Sequence, residues 1–138
     1  MIITDILQID SIAENILGTS KGIVCLDMKD YNSFKERSTS LRATKIEIPC
    51  ITEENLETLQ KALEKLSIGE YSNIMLYVCG NEIKSGAKAV TIEHMQLFNN
   101  ALCKYITEST DIIWGLGECE NEYDGVTIFV VVGCCNQQ

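Results

Sequence analysis

Val126-Thr127-Ile128-Phe129-Val130-Val131-Val132 reads as a β-strand with apolar side chains pointing both ways. The run Ile74-Met75-Leu76-Tyr77-Val78-Cys79 has the same character and lies between Ser72-Asn73 and Gly80-Asn81. Successive side chains on a strand alternate between faces, so a strand that is apolar throughout has both faces covered. These two runs therefore predict a sheet with helices to cover it, an α/β (α+β) domain.

Working outward, two further segments have strand character. Ile46 and Ile48 alternate with Lys45 and Glu47, and Pro49 ends that run. Asp111 to Leu116, DIIWGL, is a short apolar run. The acidic stretch Gly117 to Gly125 closes on Asp124-Gly125, a turn signal, so 111–116 and 126–132 are expected to form a hairpin. Its acids, Glu118, Glu120, Glu122 and Asp124, lack calcium-loop spacing and read as a solvated tip.

Four segments have helical periodicity. Ile9, Ile12, Ala13, Ile16 and Leu17 make one apolar stripe, with Gly18 at the C-terminal end. Asp27 to about Arg37 reads as a second helix, with Asp27 at the N-cap and Asp30 at the capping-box position. Thr52 heads a third, with Leu56, Leu59, Leu63 and Leu66 buried. Thr91 opens a fourth, with Met95, Phe98, Leu102 and Ile106 on one side. Ser20-Lys21-Gly22 leads into the compact run IVCL, and Ser38-Thr39-Ser40 reads as a polar turn. The helices at 52–66 and 91–107 are expected to cover one sheet face. The first two helices or a partner chain would cover the other.

The 138 residues fit one domain, 1–138, which at this length needs no staples. Hydrophobic residues at 46% and charged residues at 22% are ordinary for a globular chain. The net charge of −9 repels nucleic acid and anionic lipid, so neither is an expected partner. The apolar runs are too short to span a bilayer, and MIITDILQID lacks the order of a leader peptide. Seven cysteines, Cys25, Cys50, Cys79, Cys103, Cys119, Cys134 and Cys135, show no CxxC pair. Most are expected to be small core thiols in a reducing cytoplasm, and no metal site is expected. The lone histidine, His94, is expected on a helix surface.

The stretch Gly22-Ile-Val-Cys-Leu-Asp-Met-Lys-Asp30 resembles a segment of the bacterial tubulin relative FtsZ. Gly22, Leu26, Asp27 and Asp30 match in register. Residues 1–21 resemble the end of the family's long central helix. NIMLYVCG, DIIWG and GVTIFVVVGC resemble three of its strands, in family order. The resemblance implies the C-terminal half of FtsZ: a two-layer sandwich with a four-stranded mixed sheet. It also implies a role in bacterial cell division.

In that family the GTP site belongs to the N-terminal half. The glycines here are scattered singly and no phosphate-binding loop appears, so no cofactor of its own and no independent GTPase activity are expected. By resemblance, Gly22, Cys25, Leu26, Asp27 and Asp30 form a partner-binding loop that meets GTP on a neighbouring subunit. Asp27 and Asp30 are the catalytic pair in trans, polarising the attacking water. Cys25 stands where the family carries asparagine, and EIPCITEEN replaces a glycine-rich segment. FtsZ or an FtsZ-like protein is the implied partner, along with self-association through the first helix. Two alternatives stand beside this. One is a piece of a longer FtsZ GTPase. The other is a small-molecule-binding or chorismate-mutase-like sandwich using Lys35, Arg37, Arg42 and Lys45.

Overall fold

The computed structural model describes residues 2–18, 21–24, 26–49, 53–80, 92–103, 105–118 and 125–135. In chain order these give β1 (Ile2–Ile3), α1 (Ile6–Leu17), β2 (Lys21–Val24), α2 (Met28–Glu36), β3 (Ser38–Ile48), α3 (Glu53–Leu66), a 3-10 turn (Ile68–Glu70), β4 (Asn73–Gly80), α4 (Ile92–Leu102), β5 (Asp111–Glu118) and β6 (Val126–Cys135). The sheet order is β1-β3-β6-β4-β5-β2.

The last strand lies in the interior of the sheet. β6 runs antiparallel to β3 on one side and to β4 on the other. Residues 126 to 132 are all buried, as a central strand requires. β4 and β5 are parallel neighbours joined through α4, so the sheet is mixed. The hairpin expected from 111–116 and 126–132 does not form. Leu76 of β4 sits between Trp114 of β5 and Val130 of β6. A strand as apolar as β4 keeps least of its surface in water when both its edges and both its faces are covered.

Two separate cores flank the sheet. Ile74, Leu76 and Val78 of β4 join Ile128, Val130 and Val132 of β6 beneath α3 and α4. Met75, Tyr77 and Cys79 join Phe129 and Val131 beneath α1 and α2. The domain therefore has three layers, helices–sheet–helices, rather than the two that the resemblance implies. The expected four strands become six, counting the two-residue β1 at one edge and the short β2 at the other. Both additions are too short to show periodicity. The reason for the third layer lies in the alternation: large apolar side chains project from both faces, and each face needs its own cover.

Local signals explain the helix limits. Asp5 caps α1 by accepting from the Leu7 backbone N–H at 3.1 Å, and Ile9, Ala13, Ile16 and Leu17 are buried. Ile2 and Ile3 of β1 pair with Thr44 and Ala43 of β3. The part of 1–21 that is helical in the way the central-helix resemblance implies is thus 6–17. α3 buries the four leucines expected of it. α4 ends at Leu102, short of the predicted 107, and Ile106 packs against the core from beyond it.

β3 begins seven residues earlier than the alternation at Lys45 marks, so Ser38-Thr39-Ser40 are strand rather than turn. Ser38 and Thr39 pair with Cys135 and Cys134, and the register then shifts before Arg42. Ser40 has a left-handed φ of 55°, the kink at that shift. Ser38 is buried and its Oγ accepts from the Asn73 side chain at 2.9 Å, which satisfies both polar groups.

Candidate functional site

The start of α2 holds the residues that the sequence nominates. Gly22 is on β2, opposite Gly117 of β5. Cys25 lies outside the described residues. Leu26 is buried in the core under α1 and α2, where it closes the floor of the loop. Gly115 of β5 makes room for it. A Cβ there would come within 2.8 Å of the Leu26 side chain and 2.7 Å of the Tyr77 ring. Leu26 is therefore an anchor for the loop, and its buried side chain is not a contact surface.

Asp27 and Asp30 are brought together by a reciprocal capping box. Asp27 Oδ1 accepts from the Asp30 backbone N–H at 3.0 Å, and Asp30 Oδ2 accepts from the Asp27 backbone N–H at 3.0 Å. Asp27 is exposed and Asp30 half-buried. The hydrogen bond from the Asp30 backbone holds the Asp27 carboxyl below its ordinary range. Partial desolvation opposes this, while hydrogen bonds with the Asp30 side chain and the Lys29 backbone, and the Lys29 charge, reinforce it. Asp27 is thus an anion at neutral pH, fixed at the positive end of α2. The arrangement can accept hydrogen bonds or face a metal-bound phosphate across an interface. It also caps a helix, and both uses are compatible.

A second polar cluster, which the sequence did not single out, joins α1 to α2. Asp10 Oδ1 accepts from Tyr31 Oη at 2.6 Å and from Lys35 Nζ at 3.0 Å, and Lys35 Nζ lies 5.1 Å from the centre of the Tyr31 ring. The pairs are 21 and 25 positions apart, so no local spacing marks them. Of the four cations considered for an acidic substrate, Lys35 is taken up here. Arg37 donates to Asp111 Oδ2 at 2.7 Å and stacks over Phe34. Arg42 and Lys45 lie along β3, so the four do not converge.

Among the described residues no three His, Cys, Asp or Glu side chains group as a metal site would require. Of the four acids in the acidic stretch, only Glu118 has its backbone described, and the His94 side chain falls outside the described residues. Cys103 is a free thiol at the surface and Cys134 a free thiol partly covered. Cys79 differs from the expected reduced thiol: it is buried and disulfide-bonded. No described helix is long and apolar enough to cross a membrane.

What fold and site define together is an α+β protein with a mixed sheet covered on both faces and an acidic helix start at its surface. Compared with known proteins, the chain matches no family model and no curated protein.

Proposed function

We propose that the chain is an FtsZ-like binding module of bacterial cell division, with no GTP site of its own. It offers the Asp27/Asp30 loop to the exposed nucleotide face of an FtsZ-like partner and so ends or regulates a filament. The observation that carries this reading is the reciprocal capping box. It fixes two carboxylates side by side at the start of α2, on a loop anchored by buried Leu26. GTP would come from the partner, and any part that Asp27 and Asp30 take in hydrolysis would be in trans. The element order from α1 to β6 supports the same reading, since it follows the order that the resemblance implies. The added third layer and the edge strands β1 and β2 are where the chain departs from it. A cytoplasmic location goes with this function, and the disulfide at Cys79 is the observation that argues against it.

The test is to titrate the protein into polymerising FtsZ from the same source, following GTP turnover and pelleted polymer together. The control is Asp27→Asn/Asp30→Asn, because asparagine keeps the cap while removing both charges. Loss of polymer at substoichiometric dose, abolished in the double variant, is the expected result. Equal potency of the double variant removes the loop from the mechanism, and no effect from either protein removes the FtsZ role.

A further inference from the structure

We draw no further inference here: the strongest candidate, the buried disulfide that Cys79 of β4 makes on the sheet face beneath α1 and α2, carries none, because the cysteine at its other end lies outside the described residues and nothing described shows which segment the bond ties down.

Discussion

Asp10 shows how much one carboxylate can do between two helices. Burial, the largest single influence, pushes its carboxyl up. The hydrogen bonds from Tyr31 and Lys35 and the Lys35 charge outweigh burial and hold the carboxyl below its ordinary 3.8. The folded state thus favours the carboxylate. Its contribution to stability is complete above the ordinary value and is lost as pH falls below it. Tyr31 goes the other way: burial first, then the bond it donates to Asp10 and the charge of Asp10, push its phenol far above 10.0. That contribution is present below pH 10 and fades as the solution becomes more alkaline. Asp10→Asn should cost about 1–2 kcal/mol at pH 7, since it weakens two charge-assisted bonds that are only partly buried. Chemical unfolding at pH 7 and pH 3 reads this, and the difference between variant and wild type should shrink at pH 3. A constant difference would mean that the charge of Asp10 is not what matters. This cluster was invisible in the sequence because its members are distant along the chain. The capping box was legible because Asp27 and Asp30 are three positions apart, where helix geometry alone makes them meet.

At the scale of elements, legibility followed the strength of the repeat. α3 has leucines at positions 56, 59, 63 and 66, and all four are buried. Leu63→Ala should therefore cost about 2–5 kcal/mol by leaving a cavity under the helix. The exposed neighbour Lys61→Ala should stay within about 0.5 kcal/mol. Equal effects at the two positions, measured by urea unfolding, would deny that α3 packs as described. β3 was legible only in its second half. Its first half is polar, and it is held by the Asn73–Ser38 contact and by the pairing of Thr39 with Cys134 ahead of the kink at Ser40. Polar strands of this kind are fixed by tertiary partners, which one-dimensional periodicity cannot report. α4 was drawn too long because Ile106 keeps the helical spacing while packing from outside the helix.

For the whole molecule, the α+β class and the covering of both sheet faces could be read from β4 and β6, but strand order could not. Nearness in sequence argued for a β5–β6 hairpin, yet β4 lies between them. The candidate site was legible as two acids and a loop, while the anchoring of Leu26 over Gly115 needed the strand arrangement. The layout predicts a gradient of protection. Amides of β4 and β6 should exchange slowest in native-state hydrogen exchange, and those of β1 and β2 at the edges fastest. Uniform exchange along the six strands would contradict a sheet organised around β6.

The same feature bears on how the chain is made. β6 follows the other five described strands in the chain, and it alone joins β1-β3 to β4-β5-β2. Until it emerges from the ribosome, the nascent chain has two partial sheets with no ladder between them and an apolar β4 whose edge has no partner. Such edges are where unfinished chains stick to one another. Emergence of β6, rather than of any earlier strand, is therefore the moment at which this sheet becomes safe from its neighbours.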